Sequence, residues 1–383
     1  MHVLVFSVDR ERLGIARLPK ALQQVGFKVG VLCHPLSFLA KTGHVDQRFL
    51  LSSTKSGRQL LRSLVQAIHE WHPVIIIPGD EIAVCFLHYL VRLGIENPSF
   101  ILAEALTVIQ RSLGNAKLFE ATVLKHHTQL VAQELGLQTP MQKVVRSLDE
   151  ALEFASKYNY PVVLKKDFSW SGAGVKVCDS QDELLQSLPA FLPRKKSRFR
   201  KSVSRLLNRS WLLSDNTLSV QQFIGGKAAM YSAVAVSGEI LTGFAAAKEC
   251  TSPTPNGPSS VVRFIEHPEM AATASALIAH FEYTGFAGFD FMLSEEGHAY
   301  FIECNPRPIP VSHLGSSVGR DLCAALYAKL SGGAYTQAPT LQGNALAALF
   351  PQEWYRDVQS PHLEKAYHDV PWDDPALFKA CIG

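Results

Sequence analysis

Short apolar runs separated by helical segments fill the first part of the chain, and this alternation restricts the fold more than any other feature. The runs HVLVFSV, KVGVLC and PVIIIPG have strand character, and residues 11–26 have helical character with an interruption at Pro19. Strands that alternate with helices predict a parallel, doubly wound sheet of the α/β class. The dinucleotide-binding pattern GxGxxG is missing after the first strand, which disfavours a nicotinamide-binding domain.

Two acids follow the third apolar run. Asp80 and Glu81 come directly after PVIIIPG, at the edge where ligands bind in parallel sheets. The same acids would suit the first turn of a helix, where negative charge is favoured. The residues alone leave both interpretations open.

Length and cysteine usage set the class of protein. A chain of 383 residues predicts two or three domains. The 7 cysteines are scattered without a CxxC pair, which favours reduced thiols and a cytoplasmic location over a disulfide framework or a zinc site. We expect no signal peptide and no membrane segment, because no basic leader and no run of 18 apolar residues occurs.

The net charge of +3 hides one strongly basic segment, residues 194–209, RKKSRFRKSVSRLLNR. Such a segment is compatible with binding nucleic acid or an anionic lipid surface. It is also compatible with a solvated insertion, which is the interpretation that we favour. We therefore expect no nucleic-acid partner and no membrane partner.

The middle of the chain contains residues that typically start or end helices. A long helix is predicted over roughly 115–135, because Gly136 and Pro140 provide stop signals. SLDE at 147–150 and SQDE at 180–183 have the capping-box pattern that opens a helix.

The segments FDFML and HAYFIECN predict a β-hairpin with a four-residue loop. If Leu293 pairs with His298, then Asp290 lies opposite Phe301. Residues two apart share a face of a strand. Asp290 then shares one face with three residues of the second strand, namely Phe301, Glu303 and Asn305.

Oxygen ligands without histidine or cysteine are typical of Mg²⁺. Asp290, Glu303 and Asn305 supply such a set, and phosphates would complete the shell. Arg307 follows with a planar fork that suits phosphate or carboxylate. A solvated surface hairpin would have the same residues, so other parts of the chain have to decide.

A glycine- and serine-rich loop follows a strand lysine. Lys165 is the first of the two lysines that end the run YPVVLKK, and the loop then carries Ser169, Ser171, Gly172 and Gly174. Glycines free backbone N–H groups for phosphate oxygens, and serines add hydroxyl donors. The Walker pattern is missing. An ordinary loop has a similar composition, but the lysine and the carboxylate hairpin favour a phosphate site.

The order of these features resembles the ATP-grasp superfamily. The resemblance rests on a helix lysine before GLQTP, a strand lysine before the glycine-rich loop, the hinge strand VQQFIGG and the final hairpin with its arginine. It covers about 115–335, and residues 1–114 resemble the small domain that precedes this fold in carboxylate–amine ligases. FDFMLSEEGHAYFIECNPRP is most similar to the large subunit of carbamoyl phosphate synthetase and its relatives.

The resemblance implies an ATP-grasp fold of three parts. A doubly wound domain would span 1–114, and an ATP-grasp domain with a C-terminal metal-binding subdomain would span 115–335. A lid subdomain would occupy about 140–222, and residues 336–383 would form a tail packed on the body.

The resemblance also implies ATP and Mg²⁺ as cofactors, with roles for particular residues. The residues implied to contact ATP are Lys125 and Lys165 at the phosphates, Ser171, Gly172 and Gly174 in the lid, and Gln222, Phe223 and Ile224 at the adenine. Lys227 stands where many relatives have an acid for the ribose. Asp290, Glu303 and Asn305 would hold Mg²⁺, and Arg307 and Lys165 would act on the transferred phosphoryl group.

The expected activity is ligation of a small carboxylate to an amine through an acyl phosphate, with release of ADP and phosphate. An ATP-grasp kinase, or a nucleotide-binding regulator without turnover, remains an alternative, and a homodimer is an open option. Lys248 and Arg263 are candidates for binding the substrate carboxylate. We expect His126 and His127 to be ordinary surface or interface histidines, and His313 is a weaker candidate for facing substrate.

Overall fold

The computed structural model describes residues 1–54, 56–97, 99, 101–167, 174–192, 217–254 and 257–383. Within these ranges, the strands form three sheets of four, four and seven strands. None of the described helices combines the length and apolar composition needed to cross a membrane.

The first sheet is parallel and has the strand order β3-β2-β1-β4. Its strands are β1 (His2–Ser7), β2 (Lys28–Cys33), β3 (Gln47–Leu50) and β4 (Ile75–Pro78). Its helices are α1 (Leu13–Gln24), α2 (Phe38–Lys41), α3 (Gly57–Trp71), α4 (Glu81–Glu96) and α5 (Ala103–Arg111). Most residues of β1, β2 and β4 are buried, as expected for a sheet that is covered by helices on both faces.

The predicted interruption of the first helix is wrong. Pro19 lies inside α1, which continues from residue 13 to 24, and its ring is buried. The missing N–H leaves only the carbonyl of Ile15 without its helical donor. Burial of the proline ring therefore outweighs the loss of one helical hydrogen bond, which the sequence alone suggested would interrupt the helix.

The predicted long helix over 115–135 is also wrong. A 3₁₀ turn (Ala116–Leu118), α6 (Phe119–Val123) and α7 (Lys125–Glu134) replace it. The backbone of Leu124 is extended, with φ −90° and ψ 117°. The N–H of His126, which a continuous helix would direct at residue 122, instead donates to Asp167 Oδ1 at 3.0 Å. The break therefore exchanges a helical hydrogen bond for a charge-assisted one.

The second sheet is small and antiparallel, with the order β5-β8-β6-β7. It contains β5 (Gln142–Val145), β6 (Val162–Lys166), β7 (Val175–Cys178), β8 (Leu218–Gln222), α8 (Leu148–Tyr158) and α9 (Gln181–Phe191). Both predicted helix starts are confirmed, since Ser147 accepts from the N–H of Glu150 and Ser180 from that of Glu183. The basic segment 194–209 lies outside the described residues.

The third sheet forms the centre of the molecule, in the order β13-β12-β9-β10-β11-β14-β15. Its strands are β9 (Lys227–Val236), β10 (Glu239–Thr251), β11 (Ser259–Ile265), β12 (Gly285–Leu293), β13 (Ala299–Asn305), β14 (Leu346–Leu349) and β15 (Tyr367–Asp369). The helices after β11 are α10 (Pro268–His280), α11 (Leu322–Ser331), α12 (Gln352–Arg356), α13 (His362–Lys365) and α14 (Pro375–Ile382), with a 3₁₀ helix at Ser312–Val318.

The predicted register of the hairpin is wrong by one residue at the loop and by two at Asp290. Leu293 pairs with Ala299, so the loop contains residues 294–298, and Asp290 pairs directly with Glu303. The longer loop shifts the register by one residue, and a bulge at Ile302 adds the second. Because the bulge breaks the alternation, Phe301 turns into the core with the other phenylalanines of β12 and does not share the face of Glu303. The two carboxylates therefore lie closer together than predicted.

The C-terminal segment does more than pack on the body as a tail. β14 pairs with β11 and β15 pairs with β14, so this segment completes the central sheet. It also reaches the first domain, where Asp369 accepts from Arg17 at 2.5 Å and Asp374 accepts from Thr42 at 2.6 Å. Both carboxylates are buried, so these bonds fasten the first and last parts of the chain to each other.

We expect His88 to make the protein sensitive to acid. It is buried in α4, and its ring stacks on Phe119 with 4.0 Å between centroids. Burial, with a smaller contribution from Arg92, lowers the pKa of His88 from 6.5 to about 3. Below pH 6.5 the unfolded chain binds a proton that the folded chain excludes, so stability falls as the pH falls from 6.5 toward 3.

His88→Phe should remove this dependence. Between pH 7 and pH 5, the unfolding free energy of the wild type should fall by about 2 kcal/mol more than that of the variant. Urea unfolding at the two pH values measures the difference, and His69→Phe at an exposed position is the control. Equal losses in wild type and His88→Phe would contradict this account.

Candidate active site

A cavity of about 480 Å³ lies where the three sheets face one another. It collects most of the residues that the sequence singled out. The predicted residues that line it are Lys125, Lys165, Gln222, Phe223, Ile224, Asp290, Glu303, Asn305 and Arg307. Ser169, Ser171 and Gly172 lie outside the described residues. Gly174 directly precedes β7, and its carbonyl accepts a hydrogen bond from the N–H of Lys166 at 2.9 Å.

Two carboxylates form the floor of the cavity. Asp290 on β12 lies opposite Glu303 on β13, and the amide of Asn305 donates to Asp290 Oδ2 at 3.2 Å. Lys125 Nζ lies 2.9 Å from Glu303 Oε2. Each of these side chains is partly buried, so their charges interact in a medium less polar than water.

The close carboxylates titrate in opposite directions. Burial, and next the neighbouring Glu303, raises the pKa of Asp290. Burial also acts to raise the pKa of Glu303, but Lys125 and then Lys165 outweigh it, and the pKa falls below its ordinary value. Burial lowers the pKa of Lys165 to about 8, with Glu303 opposing and Lys125 assisting. A cation bound beside Asp290 would therefore stabilise the ionised form of this carboxyl group.

This donor set fits Mg²⁺ that is shared with phosphates. Within the described residues, no group of three His, Cys, Asp or Glu side chains could hold a metal ion. Two carboxylates and an amide oxygen are too few for a calcium cage or a zinc site. They match the one or two carboxylates by which proteins hold Mg²⁺ when substrate phosphates complete the shell.

Arg307 is fixed by a carboxylate from the first domain. Its guanidinium donates to Glu81 Oε1 at 2.5 Å and to the carbonyl of Pro308 at 2.9 Å. The second oxygen of Glu81 accepts from Arg12 at 2.7 Å. Arg12 and Glu81 both line the cavity. Arg12 carried no signal in the sequence, because its role depends on a partner 69 residues away.

The structure separates the two roles that were open for Asp80 and Glu81. Asp80 caps α4 by accepting from the N–H of Ala83 at 2.8 Å, and its other oxygen accepts from Ser7 at 2.7 Å. It is buried and holds the end of β1 against the start of α4. Glu81 faces the cavity instead. The two neighbouring acids therefore serve the fold and the site respectively.

The hinge strand forms the other end of the cavity. Val163, Met292, Phe223 and Ile224 give this end an apolar lining that suits the faces of a purine ring. The backbone N–H of Gln222 donates to Met141 at 2.8 Å. The backbone of Gln222 therefore has one donor fewer for a nucleotide base than the sequence suggested.

Three basic candidates are sorted by their contacts. Lys227 and Arg263 both bind Glu249, at 2.5 Å and 3.0 Å, and neither lines the cavity. Hydrogen bonds from Arg263 and Lys227 lower the pKa of Glu249 to about 2. Lys248 lines the cavity and is the candidate that stays available to a substrate.

The histidine expectations are partly wrong. His126 is buried, and its ring contacts Asp167, which directly follows β6. This contact fixes the first turn of α7, which carries Lys125. His313 faces away from the cavity lining, and its Nε2 lies 2.9 Å from the buried Asp369. The sequence did not identify Asp167, since nothing near it indicates a partner in α7.

Comparisons with known proteins bear on the fold. Residues 107–210 match the family model of the carbamoyl-phosphate synthase L chain ATP-binding domain. Among solved structures, the chain resembles a biotin carboxylase domain dimer from Hydrogenobacter thermophilus in complex with MgADP and bicarbonate. The TM-score is 0.62 and the identity 16%, over 90% of this chain and 73% of that one.

Two further structures resemble the chain at similar levels. N5-carboxyaminoimidazole ribonucleotide synthetase from Thermotoga maritima has a TM-score of 0.56 and 14% identity, over 89% of this chain and 78% of that one. L-amino acid ligase from Bacillus licheniformis has a TM-score of 0.55 and 16% identity, over 86% and 74%. The predicted resemblance and the predicted ATP-grasp fold are thereby confirmed.

We expect Lys165 to contribute strongly to nucleotide binding, and its neighbour gives a matched control. Lys165→Met should weaken MgATP binding by roughly 10-fold or more, because a charge-assisted hydrogen bond to phosphate would be lost. Lys166 points away from the cavity, where its Nζ donates to the carbonyl of Ala190 at 3.0 Å. Calorimetric titration should give unchanged affinity for Lys166→Met, and equal effects of the two substitutions would refute the assignment.

Proposed function

We propose that this chain is an ATP-dependent ligase that joins a carboxylate to an amine through an acyl phosphate. The observation that carries the proposal is the cavity floor, where Asp290 and Glu303 lie between Lys125 on one side and Arg307 on the other. A nucleotide site needs the lysines. The paired carboxylates and the fixed arginine are the groups expected where a phosphoryl group is transferred.

In the first step, a carboxylate oxygen of the acid would attack the γ-phosphorus of ATP. The new O–P bond forms as the bond to the β–γ bridging oxygen breaks, and ADP leaves with the electron pair. Mg²⁺ held by Asp290, Glu303 and Asn305 would neutralise phosphate charge. Lys125 and Lys165 would donate to the phosphates, and Arg307 would donate to the transferred group.

In the second step, the amine nitrogen would attack the acyl carbon. The C–N bond forms as the C–O bond to phosphate breaks, and the proton lost by nitrogen passes to the released phosphate. Acyl phosphates hydrolyse in water, so exclusion of solvent is required. We assign this task to the loop with Ser171, Gly172 and Gly174, in a lid of residues about 140–222.

The remaining predictions are kept as proposals. Residues 1–114 would form the first domain, 115–335 the ATP-grasp domain and 336–383 the C-terminal segment. Phe223 and Ile224 would contact adenine, with Gln222 beside them. Lys227 binds Glu249 outside the cavity lining and is not assigned a contact with the ribose. A homodimer and a cytoplasmic location remain predictions.

The decisive experiment traps the intermediate. Hydroxylamine is a general nucleophile that converts an acyl phosphate into a hydroxamate. Incubation of the protein with MgATP, hydroxylamine and a panel of carboxylic acids should give ADP and hydroxamate in equal amounts. AMP and pyrophosphate would refute the mechanism. ADP and a stable phosphorylated acceptor without hydroxamate would favour a kinase, and no ADP with any acid would favour a regulator.

Glu303→Gln should abolish this reaction while the protein stays folded. The substitution removes one of two carboxylates from the metal site and the partner of Lys125. We expect ADP release to fall below about a tenth of the wild-type rate. Circular dichroism and the melting temperature check the fold. Retained turnover above that level would disprove the role of Glu303 in holding the metal.

Glu81→Ala tests whether Glu81 positions Arg307. We expect kcat to fall by roughly 10-fold or more, since Arg307 loses a buried ionic hydrogen bond, while KM for ATP stays within about two-fold. In an Arg307→Ala background, Glu81→Ala should have little further effect. Glu11→Ala, at an exposed site of the same domain, is the control. Additive losses in the double variant would show that Glu81 acts independently of Arg307.

A further inference from the structure

The cavity lining also includes residues to which the proposed nucleotide and metal contacts assign no role. They come from β10, the loop before β11, the segment after Arg307 and the C-terminal segment. We define the acid chamber by the residues Lys248, Pro258, Ile309, Val311, Leu349 and Gln352. Arg307 lines the same cavity, so a carboxylate that it binds would lie beside the transferred phosphoryl group.

Two cationic side chains of the cavity lining have donors left for a ligand. Lys248 Nζ donates to the carbonyl of Gly257 at 3.2 Å, which leaves two further protons for a ligand. Arg307 is 7% exposed, and its Nε has no partner within the described part of the chain. Two cationic donors in one cavity suit a carboxylate.

Three residues of the acid chamber are aliphatic. Ile309, Val311 and Leu349 are 6%, 1% and 4% exposed, so they form a wall that water hardly reaches. Leu349 ends β14, and Val311 precedes the 3₁₀ helix at Ser312–Val318. A charged or strongly polar group against this wall would lose its hydration without compensation. An aliphatic group would instead gain about 25 cal/mol per Å² of area removed from water.

The acid chamber also has an acceptor that lacks a donor. Gln352 is the first residue of α12, and its Oε1 is buried without a hydrogen-bond partner among the described residues. A buried polar atom that is left unpaired costs about 1–3 kcal/mol. The next residue is different, because Glu353 is fully engaged with Arg356 and Ser360. Gln352 lines the cavity, whereas Glu353 does not.

We propose, on the premise that the proposed ligase function holds, that the acid substrate is a small aliphatic carboxylic acid that carries a hydrogen-bond donor. Lys248 and Arg307 bind its carboxylate, and Ile309, Val311 and Leu349 cover its aliphatic body. Gln352 accepts a hydrogen bond from an amino or hydroxyl group. The C-terminal segment thus selects the acid, through Leu349 and Gln352.

The test compares acids that differ in one feature at a time, with hydroxylamine as the common nucleophile. L-Leucine and 2-hydroxy-4-methylpentanoate have the aliphatic body and a donor, and 4-methylpentanoate has the body alone. Glycine has a donor without the body, and L-aspartate has a charged body. We expect kcat/KM for hydroxamate formation with the first two acids to exceed the values for the other three by roughly 10-fold or more.

Two variants assign the preference to residues. Gln352→Leu should remove the advantage of L-leucine over 4-methylpentanoate, because the acceptor is gone. Leu349→Ala should reduce the advantage of L-leucine over glycine. Gln359→Leu, at an exposed position in the same segment, should leave both ratios unchanged. Melting temperatures check that each variant is folded.

The outcomes separate this inference from the proposed function. Hydroxamate that forms as well from glycine or L-aspartate as from L-leucine would overturn the inference and leave the ligase function intact. The same holds if Gln352→Leu and Leu349→Ala leave both ratios unchanged. If no acid of the panel gives hydroxamate, the ligase function itself is contradicted, and the inference falls with it.

Discussion

The architecture depends on the neutralisation of charges that are held away from bulk water. Glu303 is partly buried beside Lys125 and Asp290, and an isolated charge at such a depth would be strongly unfavourable. Each element that meets at the cavity floor therefore brings a charge that another element requires. α7 brings Lys125, β6 brings Lys165, and the hairpin brings the two carboxylates. The elements are held in register because displacement of any of them would leave a buried charge unpaired.

The same principle joins parts of the chain that are far apart in sequence. Glu81 joins the first domain to Arg307, and Asp369 in β15 joins the C-terminal segment to Arg17 and His313. Arg307 follows β13 and Asp369 lies in β15, at opposite edges of the central sheet, so the first domain is held at two places. A rigid attachment of this kind suits a site whose arginine must be oriented to within a fraction of an ångström.

Local patterns in the sequence revealed the strand–helix alternation, the helix caps at Ser147 and Ser180, and the residues that form the cavity floor. These features depend on residues that are close in sequence. The bulge at Ile302 could not be foreseen, because it depends on whether Phe301 packs better in the core than at the surface. The helix break at Leu124 depends on Asp167, 43 positions further along. Partners of this kind become visible only when the fold brings them together.

The contact between α1 and the C-terminal segment has a consequence for biosynthesis. Ala16 of α1 is covered by Leu377 and Cys381 of α14 in a small apolar cluster. The neighbouring Arg17 donates to the carboxylate of Asp369, which lies 352 positions later in the chain. A ribosome that adds about 5–20 residues per second needs roughly 20–70 s to supply that segment. During this interval the first domain can form its sheet while an apolar strip of α1 stays uncovered. Chaperones that bind nascent chains would find their most persistent target on this helix.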